Sequence, residues 1–301
     1  MVRHEARRSL KLSADADRGR RYDVRVTDRL AFTRAISQSI ARCELTHLAR
    51  VAIDVDAARA QHAGYERALA DAGCRITRLA ADDDMPDSVF IEDTAVVFDE
   101  LAIVARPGAE SRRREVPAVA AALAPHRAVS AIAAPGTLDG GDVLVSGRRV
   151  FVGSSGRTNA HGIAQLRALL EPHGYSVTAV PVSGCLHLKS AVCVVGDGLL
   201  LINRAWIDAA PFDRLTLVDV DPSEPFGANA LRIGDTVIAP QEFDRTAARL
   251  RAHGLSVHPV PASELAKAEG GVTCCSLILR GPAKAGHDVG KADTDGGSVR
   301  L

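Results

Sequence analysis

The sequence predicts an α/β fold of about five repeated β-β-α-β units closed around a common axis. Three observations predict it. Apolar, strand-like runs recur roughly every 45 residues, beginning near Phe90, Leu138, His187, Asn229 and Cys274. Within a unit the signals keep one order: a strand, a tight turn, a second strand, an amphipathic helix stopped at a glycine, and a third strand. No unit can bury its own sheet and helix alone, so the units must pack against one another.

The elements follow in chain order. A helical pattern over 56–72 stops at Gly73 and leads into a strand over 75–79. The clearest unit has a strand over 143–145, a turn at Ser146-Gly147-Arg148 and a second strand over 150–152. Its helix covers 159–170, stops at His173-Gly174 and is followed by a strand over 176–180. The fourth unit is weaker, with a short helix around 208–215. A final helix over 242–252 stops at Gly254 before a strand over 256–260. Counting the N-terminal segment gives five units.

The bulk composition narrows the classes. The 301 residues have a 47% hydrophobic content, enough for a sizeable core. Lys plus Arg equals Asp plus Glu at 37 each, so no basic excess points to nucleic acid. No apolar run approaches the roughly 20 residues that span a bilayer, so no membrane association is expected. Six cysteines occur without a Cys-x-x-Cys pair or a secretory signal, which predicts reduced thiols in the cytoplasm. Residues 1–21 are Arg-rich but carry Glu5, Asp15 and Asp17, and read as a disordered extension rather than a transit peptide. Residues 282–301 are polar and Gly-rich and read as a disordered tail, leaving one catalytic domain over 22–281.

The first strands of the units carry the chemistry-bearing residues: Glu92, Asp93, Asp139, His187 and Cys274. If those strands line the axis, the residues converge. Cys274 follows Glu269-Gly270-Gly271-Val272-Thr273 and opens an apolar run. Glycines allow close approach, and a thiolate is the strongest ordinary nucleophile. Its partner would be His187, with a pKa suited to protonating a leaving amine and then activating water. Glu92, Asp93 and Asp139 can hold a cation, and a guanidinium meets carboxylates in fork geometry. A bound cation would in turn lower the thiol pKa. Cys, His and acids together point to guanidine hydrolysis without a metal or other cofactor.

Other residues complete a binding site. Arg106 and Arg157 follow second strands of adjacent units and can clamp an α-carboxylate, although either alone reads equally well as surface charge beside a turn. Asp87 can accept an α-ammonium, or else start a turn after Pro86. Cys43, Cys74, Cys185 and Cys193 read as inert buried thiols. Cys275 should face away from Cys274, because side chains alternate along a strand. His62, His126, His173 and His253 read as solvated residues on or near helices.

The chain resembles the dimethylarginine dimethylaminohydrolases of the guanidino-modifying, pentein superfamily. The resemblance runs from about Arg29 to Arg280. It rests on seven motifs in the family's order. They are Arg34-Ala35-Ile36-Ser37, Pro86-Asp87-Ser88-Val89-Phe90-Ile91-Glu92-Asp93 and Arg106-Pro107-Gly108-Ala109. Thr137-Leu138-Asp139-Gly140-Gly141-Asp142, Arg157-Thr158-Asn159, Leu186-His187-Leu188-Lys189-Ser190 and Thr273-Cys274-Cys275-Ser276 follow. The resemblance implies a five-bladed α/β propeller with its site in the central channel. It implies Cys274 as nucleophile, His187 as general acid and base, and Asp139 as the acid beside them. It further implies Glu92 and Asp93 on the guanidinium, Asp87 on the α-ammonium, Arg106 and Arg157 on the carboxylate, and backbone carbonyls from Ile36 and Ala268. The loop around Ile36 is similar to the family's lid.

The substrate so implied is a small molecule, Nω-methylated L-arginine, and the products are L-citrulline and a methylamine. The protein would act as a monomer or homodimer. Related arginine deiminases have an acid two residues after the His, where this chain has Lys189. Losing that acceptor favours a methylated guanidinium, which carries fewer N–H donors. Arginine deiminase is one alternative activity, and a non-catalytic pentein-like binding protein is another.

Overall fold

The computed structural model describes residues 29–281. The expected extension over 1–21 and tail over 282–301 lie outside the described residues. Among the described residues, fifteen strands form five three-stranded sheets. The first unit contributes β1 (Arg29–Arg34), α1 (Val55–Asp71) and β2 (Cys74–Leu79). The second has β3 (Ala95–Val97), β4 (Leu101–Val104), α2 (Val116–Leu123) and β5 (Ala128–Ala131). The third has β6 (Val143–Ser146), β7 (Arg149–Ser154), α3 (Ala160–Leu170) and β8 (Ser176–Pro181). The fourth opens with the short helix α4 (Leu188–Ala191), then β9 (Val192–Gly196), β10 (Leu199–Ile202) and β11 (Thr216–Asp219). The fifth has β12 (Leu231–Ile233), β13 (Thr236–Pro240), α5 (Asp244–Ala252), β14 (Ser256–Val260) and α6 (Ser263–Ala266). The last strand is β15 (Leu277–Arg280).

Every sheet is built alike. In four of them a hairpin joins the two antiparallel strands, and in all five a crossover brings the third strand back parallel to the middle one. The N-terminal sheet shows how the ring closes: β15 pairs antiparallel to β1, with Leu30 opposite Leu279, and β1 pairs parallel to β2. The fifth repeat signal in the sequence therefore supplies the missing first strand of the N-terminal unit. The result is a five-bladed α/β propeller.

Local chemistry explains the helix limits. The Asp54 carboxylate accepts from the N–H groups of Asp56 and Ala57 and starts α1. Asn159 does the same for α3 through Gly162 N–H. Gly73, Gly174 and Gly254 all have positive φ, which L side chains resist, and each ends its helical segment as expected. The expected helix around 208–215 is only a 3-10 turn over Ala210–Phe212. The helix α2 has no counterpart in the sequence reading. His62, expected in solvent, is buried on α1 beside Glu66, and burial with nearby Arg78 lowers its pKa to about 4.

The apolar core is shared between blades. One cluster joins α1 to the fifth unit through Tyr65, Leu69, Ile238 and Leu265. Another joins the second and third units through Ile103, Leu138, Val150 and Leu166. These clusters run from blade to blade, which fixes the inner ends of the blades around one axis.

Candidate active site

The chemistry-bearing residues sit one turn earlier than expected. They lie on tight turns that precede the first strands. Glu92 and Asp93 occupy a 3-10 turn over Ile91–Thr94, and Cys274 one over Thr273–Cys275. Asp139 and His187 stand immediately before the turns Gly140–Asp142 and α4. The difference has a physical reason. Adjacent residues on a strand face opposite ways, whereas a 3-10 turn separates them by only a third of a revolution. Glu92 and Asp93 can therefore both serve one site. Cys275 is still fully buried in the apolar core, but through this turn and not through strand alternation.

His187 is held between two carboxylates. Its Nε2 lies 3.1 Å from Asp139 Oδ2 and its Nδ1 3.7 Å from Asp93 Oδ1. Burial alone would lower its pKa, but Asp93, Asp139 and Asp142 outweigh burial and raise it to about 9. The ring is thus an imidazolium at neutral pH. Asp93 shows the converse. Burial would raise it, yet His187 and Arg112 bring it down to about 2. Gly141 N–H also donates to Asp93 Oδ1 at 3.0 Å. A Cβ at Gly141 would come within 2.6 Å of His187 Nδ1 and 2.7 Å of Asp93 Oδ1, so only glycine lets the three groups meet. Asp142 fixes the next turn by accepting from Leu188 N–H at 2.9 Å and Ser155 Oγ–H at 2.6 Å.

Glu92 is paired on the other side of the site. Lys189 Nζ donates to its Oε1 at 2.6 Å and Thr273 Oγ1 to its Oε2 at 2.8 Å. Burial raises the Glu92 pKa despite that lysine, and Glu92 in turn raises Lys189 against its own burial. Asn229 bridges the two neighbouring turns: its Oδ1 accepts from Thr273 N–H at 3.0 Å and its Nδ2 donates to Lys189 O at 3.2 Å. The turn carrying Cys274 is thereby held in place. Gly271 N–H donates to Cys274 Sγ at 3.4 Å. Cys274 is half-buried, and burial, then Glu92 and Asp93, push its thiol well above the ordinary range. The free thiol is protonated at neutral pH.

A narrow cleft of about 20 Å³ gathers most of the expected residues. Cys274, His187, Asp93, Asp87, Arg157 and Ala268 line it. Asp139 and Glu92 stand behind it as partners of His187 and Lys189. Two further expected residues, Ile36 and Arg106, do not line it either. Ile36 is buried in the apolar core with Ile40 and Tyr65, because the chain still runs alongside β2 there and Ala35 N–H donates to Leu79 O. Arg106 turns its guanidinium to Gly136 O at 3.3 Å, on a bridge between Arg106 and Leu138.

Arg112 and a strap over 44–51 take those places. Arg112 lines the cleft and is buried, donating to Asp93 Oδ2 at 2.6 Å, to both Glu115 oxygens and to the carbonyls of Asp87 and Phe90. It falls in Ser111-Arg112-Arg113-Arg114-Glu115, a run that reads as surface charge; only its match to a helical face with Glu115 hints otherwise. The strap is tied by its backbone. Glu44 N–H donates to both Asp87 oxygens at 3.1 and 3.2 Å. Thr46, His47 and Leu48 donate their N–H groups to the Glu269 carboxylate at 2.6–3.1 Å. Glu269 has φ 58°, the only positive φ at a non-glycine among the described residues, and this strained backbone aims its carboxylate at three consecutive amides. Arg157 Nη2 donates to Thr46 Oγ1 at 3.1 Å. Burial raises the Asp87 pKa to about 6 against the pull of Arg112.

Asp93, Asp139 and His187 bring one potential ligand atom each within 4.8 Å of one another, a set able to hold a metal ion. The same carboxylates hold His187 protonated, and a metal would have to displace that proton. No helix among the described residues is long and apolar enough to cross a membrane.

A five-bladed α/β propeller with a thiol, an imidazolium and paired carboxylates on its axial turns belongs to the pentein class. Comparison with known proteins narrows this. The family model for eukaryotic N,N dimethylarginine dimethylhydrolase matches residues 44–219. The N(G),N(G)-dimethylarginine dimethylaminohydrolase of Streptomyces coelicolor is 41% identical over 253 residues, 83% of this chain and 96% of that protein. The Pseudomonas aeruginosa enzyme of the same name is 36% identical over 220 residues, 72% of this chain and 86% of that protein. A crystal structure of the Pseudomonas aeruginosa protein, a cysteine-to-serine mutant complexed with citrulline, superposes with a TM-score of 0.81 at 33% identity, covering 84% of this chain and all of that one. The N-terminal domain of a cyanobacterial arginine dihydrolase shares the fold, with a TM-score of 0.78 at 18% identity over 85% of this chain and 99% of that one. The chain belongs to the dimethylarginine dimethylaminohydrolase family.

Proposed function

We propose that the protein hydrolyses Nω-methylated L-arginine to L-citrulline and methylamine or dimethylamine through a covalent adduct on Cys274. The observation that carries this reading is a thiol and an imidazolium lining one cleft, with the imidazolium held by Asp93 and Asp139. Burial, with Glu92 and Asp93 nearby, keeps the free thiol protonated, so the nucleophile is silent until a further cation arrives. A guanidinium seated against Glu92 and Asp93 supplies that cation and favours the thiolate. The thiolate attacks the central guanidinium carbon. His187 gives its proton to the departing amine, and the C–N bond breaks with its electron pair on nitrogen. Neutral His187 then takes a proton from water, hydroxide adds to the thiouronium carbon, and the C–S bond breaks to return the thiolate and release the urea of citrulline.

The narrow cleft carries the groups for the amino-acid end, and lifting the strap makes room for it. Asp87 accepts the α-ammonium, Arg157 meets the carboxylate, and Ala268 lines the same cleft. Arg112 positions Asp93 and adds positive charge to the same wall. Arg106 is left without a part in this arrangement, and from Ile36 only the backbone carbonyl is free to serve, since its side chain is in the core. Asp87 and Arg157 are both engaged by the strap in this structure, so the strap must lift for substrate to reach them.

The deiminase reading is weaker because Lys189 already occupies one oxygen of Glu92. A plain guanidinium would leave N–H groups without acceptors, at about 1–3 kcal/mol each. A non-catalytic role would leave the protonated His187 and its glycine-fitted carboxylates without purpose. All six cysteines are free, which suits a reducing cytoplasm. We place the protein there, as a monomer or homodimer of one catalytic domain over 22–281. Assaying citrulline from asymmetric dimethylarginine and from arginine tests the reading. Citrulline from the methylated substrate is expected; turnover of arginine alone would make it a deiminase.

A further inference from the structure

Cys274 lies where two cavities meet. The narrow cleft holds the groups placed at the amino-acid end of the substrate. Across the thiol a second cavity of about 720 Å³ opens, and Cys274, Leu186, Glu269 and Gly270 line both. The walls of the wide cavity are mainly apolar. Leu48 and Val51 come from the strap, Trp206 and Phe226 from loops around β11, Phe243 from the start of α5 and Ala266 from α6. Trp206 and Phe226 meet edge to face with centroids 4.9 Å apart, which makes a stiff aromatic wall. Leu48, Val51 and Phe226 are three of the four large apolar side chains exposed among the described residues. Their gathering at one cavity beside the nucleophile marks a ligand surface rather than chance exposure.

The size does not match two methyl groups. Each needs little more than the roughly 10–15 Å³ that admits a water molecule. The cavity falls within the range, about 300–1,000 Å³, that houses a complete small ligand. With the amino-acid end in the narrow cleft and the guanidinium carbon at Sγ, the substituted terminal nitrogen faces the wide cavity. We propose that this cavity is a binding site for apolar substituents on that nitrogen. The enzyme would then hydrolyse Nω-alkyl and Nω-aralkyl arginines well beyond methyl. The inference rests on the function proposed above and extends its substrate class.

The chemistry is unchanged. Sulfur adds to the guanidinium carbon, the bond from that carbon to the substituted nitrogen breaks, and the amine leaves with its electron pair and the proton from His187. Water supplies the oxygen of citrulline. Overall, one substituted guanidinium and one water give citrulline and one substituted ammonium.

The test compares asymmetric dimethylarginine with Nω-benzyl-L-arginine, reading citrulline and benzylamine. Both substrates are expected to yield citrulline, with kcat/KM values within about tenfold. Ala266 is on an exposed helical turn, so Ala266→Trp fills the cavity without disturbing the core. It is expected to lower the benzyl-to-dimethyl ratio of kcat/KM at least about tenfold, and Phe226→Ala about threefold by removing an apolar wall. Turnover of dimethylarginine with no turnover of the benzyl substrate would overturn the inference. So would a ratio that neither substitution moves. Absence of citrulline from dimethylarginine itself would instead sink the proposed function, and this inference with it.

Discussion

The floor of the cleft and the strap above it use the same kinds of group in opposite ways. In the floor, buried charges are locked to each other: His187 between Asp93 and Asp139, Glu92 to Lys189, Arg112 to Asp93 and Glu115. A buried charge without a partner is costly, so these pairs admit one arrangement. In the strap, neutral backbone amides rest on the carboxylates of Asp87 and Glu269. Those bonds can be exchanged for water or for a substrate ammonium at little cost. The contrast separates two tasks. The floor is preorganised for the reaction, and the strap adjusts access to it.

The largest expected effect tests the floor. Cys274→Ser should lower citrulline formation by about four orders of magnitude or more in a discontinuous assay. His187→Gln should cost about 10²–10⁴-fold, mainly in kcat. Arg112→Ala strips Asp93 and Glu115 of their buried partner, and denaturant titration should show about 3–5 kcal/mol of lost stability. If Arg112→Ala is as stable as the parent, the floor is not locked as described.

The pH dependence joins the two regions. In the proposed mechanism Asp87 must be ionised to hold an ammonium, and His187 must be protonated to release the amine. A bell-shaped kcat/KM profile is expected, with limbs near 6 and 9. The same shift carries a stability term. The folded pKa of His187 is raised, so its contribution is complete below the ordinary histidine range and fades as pH climbs through about 9. Thermal melts across pH 6–10 should show that loss in the parent and not in His187→Gln. The smallest effect belongs to the strap. Glu269→Gln should change KM by only about threefold and leave kcat near the parent value. A loss as deep as that of a floor substitution would erase the distinction between the regions.

The sequence made much of this legible, for physical reasons. Helix ends marked by Gly73, Gly174 and Gly254 are local events, so local reading finds them. The repeat was visible because every blade needs the same apolar order. The axial turns were misread as strands because Phe90 to Val97 mixes apolar and polar residues as a strand would. Hydrogen bonding between turns, such as Asn229 to Thr273, decides the matter and leaves no periodic trace. Arg112 looked like one of three surface arginines, since only tertiary contacts separate it from Arg113 and Arg114. The strap lacks any period, so nothing in the sequence separates it from the segment around Ile36, whose side chain is core.

The pairing of β15 with β1 has a consequence for how the enzyme comes into being. The strand that seals the ring begins two residues after the turn that carries the nucleophile. During synthesis both follow every other described strand and helix. The second to fifth blades can gather while the chain is still attached to the ribosome, but the first blade, the sealed circle and the thiol all wait for this stretch. A chain cut short by a dozen described residues would lose its closure and its chemistry in one stroke, so no truncated product could degrade methylated arginine with an unfinished fold.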